Sequence, residues 1–199
     1  QRQSLGSMVA FNALAAGDID VYVDYSGTLW ANEMGRQTVG MDRATVLAEV
    51  RTFLADAHGI RVAATLGFEN AYAVAMRARD ADAMRLTRLS DLTPLAPGLS
   101  MGGDYEFFSR PEWVAIRDTY GLAFGEQRTM DPALMYQAVA QGAVDLISAF
   151  TTDGRISAYN LRVLEDDRAA IPPYDALILV SARLAREWPD VLVALARLE

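Results

Sequence analysis

Apolar positions recur along this chain in two alternating periods. Residues 8–16 are apolar and small in a helical pattern, and Gly17 follows as the residue type that closes a helix in left-handed backbone. Residues 19–23 then alternate and are β-branched, which predicts a strand running into a turn at Tyr25, Ser26, Gly27 and Thr28. Residues 43–58 are amphipathic and predict a helix, 61–66 a short strand and 70–79 another helix. Pro94, Pro97 and Gly98 break the pattern before a strand and loop over 99–103. Asp131 and Pro132 supply an acidic cap and an N1 proline for a helix that ends before Gly142. Strands over 144–149, 161–164 and 178–180 and a closing helix over 183–198 complete the reading. Helices and strands alternate throughout, which predicts an α/β fold built on a mostly parallel sheet.

The chain also echoes itself. Residues 12–28 align without gaps on 137–153, so that Ala13, Ala15, Gly17 and Asp20 recur as Ala138, Ala140, Gly142 and Asp145. The alignment sets Tyr25 opposite Phe150, each beyond a strand and each followed by small hydroxyl residues. Ligand crevices of open α/β sheets lie beyond such strand ends. Shared helix and strand propensities alone also produce a likeness of this length.

Composition narrows the function classes. The 199 residues are 52% hydrophobic, enough for a sizeable core in one domain or two small lobes. Net charge is −8, from 26 acidic against 18 basic residues, which disfavours nucleic acid and anionic lipid and weakly favours a cationic ligand. Every basic residue is arginine, a bias we ascribe to codon usage. With no cysteine there is no disulfide framework or thiolate chemistry, and the single histidine, His58, reads as a helix end before Gly59. No apolar run reaches about 18 residues, the length of a membrane span. The polar opening over 1–7 reads as a connection entering a helix, at a processed or truncated edge.

The stretch from Gly17 through Asp18, Ile19, Asp20, Val21, Tyr22, Val23, Asp24, Tyr25, Ser26 and Gly27 to Thr28 resembles the G-E-I-D-x-Y-x-E-Y-T-G-T signature of osmoprotectant-binding proteins. Four further stretches resemble that family in order: residues 67–73 (GFENAYA), 106–110 (EFFSR), 149–156 (AFTTDGRI) and 172–174 (PPY). The resemblance covers nearly the whole chain, from Leu5 to Leu198. It implies a type II periplasmic-binding-protein fold, a clamshell of two α/β lobes, here lacking the first strand and helix. We place lobe one at 1–97 and 160–199 and lobe two at 98–159, with a crossing near the proline break.

The same resemblance implies an extracytoplasmic component of an ABC importer, free, lipid-anchored or fused to a permease, and not an enzyme. It captures glycine betaine, choline or a similar quaternary-ammonium solute between its lobes, with the cognate permease as partner and no cofactor. Carnitine, proline betaine or ergothioneine, or a sensing domain of the same fold, are the alternatives. Matched motif by motif, the aromatic cage falls on Tyr25, Tyr72, Phe150 and Tyr174, and the ligand tail on Thr28 and Arg110. Phe150 stands where the family often has tyrosine. The missing upstream unit leads us to expect a longer protein, self-association or reduced stability.

Each residue also has a plainer reading. Tyr22 alternates with the site along its strand and belongs to a core, while Tyr105, Tyr120, Tyr136 and Tyr159 fall outside the motifs and read as packing or surface residues. Glu69 reads as a helix cap and Asp153 as a turn residue rather than an acid–base couple. Neither a G-x-S-x-G elbow, a Walker lysine nor a dinucleotide glycine fingerprint occurs.

Overall fold

The computed structural model describes residues 6–199; most of the polar opening, residues 1–5, including the Leu5 end of the motif match, lies outside the described residues. In chain order the elements are α1 (Ser7–Ala16), β1 (Val21–Tyr25), a single turn α2 (Ser26–Thr28) that continues as π-helix over Leu29–Glu33, α3 (Arg43–His58), β2 (Arg61–Glu69) and β3 (Tyr72–Arg77). They continue with α4 (Ala78–Met84), β4 (Ser100–Gly103), α5 (Pro111–Tyr120), β5 (Glu126–Thr129), α6 (Pro132–Gln141) and β6 (Leu146–Phe150). The last are α7 (Arg155–Ala158), β7 (Leu161–Leu164), β8 (Asp175–Val180), α8 (Ala182–Glu187) and α9 (Pro189–Leu195).

The chain divides into two compact units. The first holds residues 6–37, 41–70 and 172–199, the second residues 38–40 and 71–171. The main crossings therefore fall at 70/71 and 171/172, not at the proline break near 97 or at 159/160. The reason is strand pairing: β3 is hydrogen-bonded between β6 and β7, so residues 71–97 and 160–171 belong with the second sheet.

The first unit is built on a three-stranded sheet in the order β1-β8-β2, antiparallel on both sides of β8. All six residues of β8 are buried. Leu177 and Leu179 project to one face, against Phe11, Leu14, Trp30 and the α3 stripe Val46, Val50 and Leu54. Those three α3 residues recur every four positions, the spacing that lines one helical face. Ile178 and Val180 project to the other face, among Leu184, Leu192 and Leu195. Asp42 caps α3 by accepting the Thr45 N–H at 3.0 Å, and Gly59 closes it at φ 65° after His58. The closing helix predicted over 183–198 is broken at Trp188 and Pro189, because proline cannot continue the preceding turn.

The second unit carries a five-stranded sheet in the order β5-β4-β6-β3-β7. Strand β4 runs parallel to β5 and β6, whereas β3 is antiparallel to both its neighbours. Among the described residues only the β4–β5 and β4–β6 ladders are parallel, with one isolated parallel bridge between Arg88 and Glu165, in place of the mostly parallel sheet expected. Alternation of helix and strand predicts parallel neighbours only when consecutive strands share a sheet. Here the chain changes unit between β2 and β3 and again between β7 and β8, so the returning strands enter from the opposite end. Residues 72–77 are likewise strand and not helix. Alanine-rich sequence favours a helix locally, but β3 is buried along Tyr72, Ala73, Val74, Ala75 and Met76 and hydrogen-bonded on both edges.

The internal echo has a structural counterpart. Helices α1 and α6 end at Gly17 and Gly142, with φ/ψ of 78°/15° and 81°/15°. In each the next N–H bonds back to a carbonyl five residues earlier: Asp18 to Ala13 at 2.8 Å and Ala143 to Ala138 at 2.9 Å. The repeated aspartates share a role as well. Asp20 accepts from the Ser181 hydroxyl at 3.0 Å and from Arg183, and Asp145 accepts from the Ser100 hydroxyl at 2.7 Å and from Arg77 at 3.4 Å. Each pins a strand start to a neighbouring segment, and Tyr25 and Phe150 then end their strands.

A Cβ at Gly17 meets nothing within 4 Å and one at Gly142 meets only an Arg77 nitrogen at 3.8 Å, so backbone strain alone sets the cost of a side chain there. Gly17→Ala and Gly142→Ala are each expected to lower the unfolding free energy by about 1 kcal/mol. Urea titration followed by circular dichroism checks this, and a loss at one position without the other would contradict the shared geometry.

Candidate functional site

The six residues singled out from the sequence fall into two groups of three, one in each unit. In the first unit, Tyr25 ends β1, Thr28 closes α2 and Tyr174 immediately precedes β8. Because Tyr25 pairs with Ala176 across the ladder, residues far apart in sequence meet at one sheet end. Ser26 ties them together: its hydroxyl donates to the Pro173 carbonyl at 2.9 Å and accepts the Asp175 N–H at 2.9 Å. Between those anchors the Tyr174 carbonyl accepts the Asn70 N–H at 3.1 Å. The Tyr174 ring lies directly on Gly27, where a Cβ would stand 2.3 Å from Cε2. Only glycine admits this approach. Tyr174 and Thr28 are buried, and Tyr25 is half-buried.

Strand β1 also carries a carboxylate beneath this group. Asp24 is buried, accepts the Tyr25 N–H at 2.7 Å and accepts the Tyr22 hydroxyl at 2.6 Å. Tyr22 packs against the apolar core of the unit, as its alternation predicts. Burial, and then the charge of Asp24, push its phenol well above the usual range, and the same two causes raise the Glu33 carboxyl.

In the second unit, Tyr72 opens β3 directly opposite Phe150, the last residue of β6, and their ring centroids stand 4.9 Å apart. Directly opposed residues on neighbouring strands are the closest side-chain pairs a sheet offers. Phe107 approaches Tyr72 at 5.4 Å and is itself backed by Trp113 at 5.4 Å. The loop bearing Phe107 is held by Asp104, which accepts the N–H groups of Glu106 and Phe107 at 2.8 Å. Arg110, the residue before α5, sets its guanidinium 5.5 Å from the Tyr72 ring centroid. Glu106 pairs with Arg110 and the fully buried Glu112 lies 3.9 Å away, while the buried Arg110 Nε has no hydrogen-bond partner. Tyr72 is buried and Phe150 half-buried. Burial raises the Tyr72 phenol above its usual range, partly offset by Arg110.

The stretch after Phe150 serves as a turn. Asp153 accepts from the N–H and the guanidinium of Arg155, which hold its carboxyl down at about 2. Thr151 closes the strand end by exchanging hydrogen bonds with Ala71, at 3.0 and 3.1 Å. Glu69, read from the sequence as a helix cap, instead ends β2 and pairs with Arg43, because the segment after it is a strand. Among the other tyrosines, Tyr120 and Tyr136 are buried packing residues and Tyr105 and Tyr159 are exposed. Sequence reading passed over Phe107, Trp113 and Glu112 as parts of the ring cluster. The density of aromatics over residues 107–113 was the available signal.

Gly27→Ala is expected to drive the Tyr174 ring out of its seat and to cost about 1–3 kcal/mol of stability, the usual price of an overpacked site. Urea denaturation checks the loss, and an altered near-ultraviolet tyrosine signal checks the displacement. Unchanged stability and signal would contradict the close approach.

The chain as a whole matches a known family. The model for the substrate-binding domain of ABC-type glycine betaine transport systems (OpuAC) matches residues 1–199. The ergothioneine transport permease/ergothioneine binding protein EgtU of Helicobacter pylori (strain G27) is 28% identical over 196 residues, which are 98% of this chain and 35% of that protein. The carnitine transport binding protein OpuCC of Listeria monocytogenes serotype 1/2a (strain 10403S) is 28% identical over 200 residues, 98% of this chain and 65% of that protein. The chain therefore spans between about a third and two-thirds of the length of these curated relatives. A crystal structure of a glycine betaine/carnitine/choline ABC transporter matches with 28% identity and a TM-score of 0.75, over 96% of this chain and 71% of that one. With its motifs, its two α/β units and a family match along its whole length, the chain belongs to the OpuAC family of ABC-transporter substrate-binding domains, of type II periplasmic-binding-protein fold.

Proposed function

We propose that this chain captures a quaternary-ammonium solute such as glycine betaine, choline or carnitine, outside the cytoplasm, for uptake through an ABC permease, and leaves the solute chemically unchanged. The observation that carries this is the cross-strand pair Tyr72 and Phe150 beside Arg110, in a chain of the OpuAC family. A trimethylammonium head has no N–H to donate, so hydrogen bonds cannot select it. Ring faces attract its diffuse charge instead, at about 0.5–2 kcal/mol per ring when desolvated. Tyr72 and Phe150 supply such faces in the second unit, and Tyr25 and Tyr174 in the first. Arg110 and Thr28 serve the polar tail.

The charges around Tyr72 fit this role. One guanidinium stands among Glu106 and the buried Glu112 and Asp104, which leaves the surroundings of the ring net negative. A cationic head is favoured there. A carboxylate tail has the partnerless Nε of Arg110 as a donor, in competition with Glu106. The relatives' named solutes, ergothioneine and carnitine, are consistent with a small-zwitterion or cation binder. Among the described residues no helix is long and apolar enough to cross a membrane.

Calorimetry against glycine betaine, choline and carnitine tests the proposal, and absence of binding to all three would overturn it. Tyr72→Ala and Tyr174→Ala are each expected to weaken binding at least roughly tenfold, with phenylalanine at either site costing less. Arg110→Ala is expected to damage glycine betaine binding more than choline binding, because choline has no carboxylate to leave unpaired. Equal losses for the two ligands would assign Arg110 a structural role instead.

A further inference from the structure

We infer that Arg43 is a positioning residue for ligand binding, a clasp that holds Tyr174 in place without touching the solute; the inference rests on the proposed function. It begins with an irregularity in β2. Thr65 pairs with Leu177, and regular antiparallel pairing would bring Gly67 opposite Asp175. The strand bulges instead, with Gly67 at φ 72°, and Glu69 arrives opposite Asp175. Two carboxylates now face each other across the ladder, a destabilising pairing. Asp175 is 4% exposed and its Oδ2 is buried without a hydrogen-bond partner, so water screens the repulsion only from the side of Glu69, whose side chain is 44% exposed.

Arg43 resolves the conflict with one fork. One terminal nitrogen pairs with Asp175 Oδ1 and the other donates to Glu69 Oε2 at 2.9 Å. Arg43 is the only ion-pair partner of Asp175 among the described residues. It is the first residue of α3, beside the N-cap Asp42, and from there its guanidinium joins the two opposed carboxylates. A lysine has no planar fork with which to join both carboxylates in this way.

The clasp acts on Tyr174 through short links. Glu69 Oε2 also accepts the Tyr174 N–H at 3.5 Å, and Asn70, the next residue, donates to the Tyr174 carbonyl at 3.1 Å. Asp175 is bonded to the Ser26 hydroxyl through its N–H, and Gly27 follows to form the seat of the ring. Loss of Arg43 frees the two carboxylates to separate, and the residue between them moves with them.

Two readouts separate the clasp from the ligand assignment. In Arg43→Met, hydrogen exchange of the peptide over 171–177 is expected to quicken, and affinity for whichever of glycine betaine, choline or carnitine the chain binds is expected to fall about fivefold. In Arg43→Met with Asp175→Asn, which removes the buried charge and keeps the shape, both are expected to recover most of the way. Arg43→Lys should lie between the single variant and the parent. Parent-like exchange in Arg43→Met, or a double variant that exchanges as fast as the single one, would overturn the clasp. If the parent chain binds none of glycine betaine, choline and carnitine, the proposed function fails, while the exchange experiment still decides whether Arg43 holds Tyr174.

Discussion

Strand β8 has neither a free edge nor a free face. It pairs with β1 on one side and β2 on the other, and its six buried residues feed two separate apolar layers. Every backbone polar group of a strand so buried must be satisfied by its neighbours, and the ladder with β1 runs in unbroken register from Val21 to Tyr25 while the ladder with β2 is interrupted by bulges. That register is what sets Pro173 and Tyr174 against Ser26 and Gly27, across a sequence gap of 147 residues between Ser26 and Pro173. The aromatic corner of the first unit is therefore a consequence of how one late strand completes a sheet begun by early ones. Its remaining freedom is small, since Gly27 leaves no room for the ring to shift inward.

The second unit reaches a similar outcome by other means. Antiparallel pairing of β3 with β6 brings Tyr72 and Phe150 side by side with their ring planes tilted by 40°, and the rings of Phe107 and Trp113 extend the cluster. Buried aromatics of this kind contribute both apolar burial and geometric definition, because centroid spacings near 5 Å are favourable. Arginine is the chain's sole cationic side chain apart from His58, and its forked head is put to use repeatedly. Arg77 gathers the carbonyls of Val139 and Val144 with the carboxylates of Asp80 and Asp145. Arg155 grips Asp153 while lying 4.0 Å from the Tyr136 ring centroid. Whatever its genomic origin, the absence of lysine suits a structure in which single cations join several acceptors.

Under the proposed function these local arrangements bear on binding, because a quaternary ammonium would be selected by shape and ring orientation, with few hydrogen bonds to correct an error. A ring displaced by an ångström loses much of its electrostatic attraction for the cation. Most of the polar bonds around the two aromatic groups are accordingly spent on holding backbone: Ser26 on Pro173 and Asp175, Asp104 on the Phe107 loop, Thr151 on Ala71.

The sequence by itself determined the α/β class, the extent of α3 and α6, the glycine closures at 17, 59 and 142, and the family. Each rests on local signals, namely periodicity, cap residues and contiguous motifs, that no distant contact reverses. It also singled out Tyr25, Tyr72, Phe150 and Tyr174, as positions that the family resemblance implies. Tertiary structure decided the rest. Residues 72–77 are strand only because β6 and β7 flank them, although their alanine-rich sequence suits a helix. The compact units divide at 70 and 171 because pairing, not the proline break, assigns segments to sheets. Glu69 is an ion-pair partner and not a cap, because a bulge in β2 carries it opposite Asp175. The backing of Tyr72 by Phe107 and the seating of Tyr174 on Gly27 depend on approaches between segments distant in the chain, and such distances are set by packing, which no local pattern encodes.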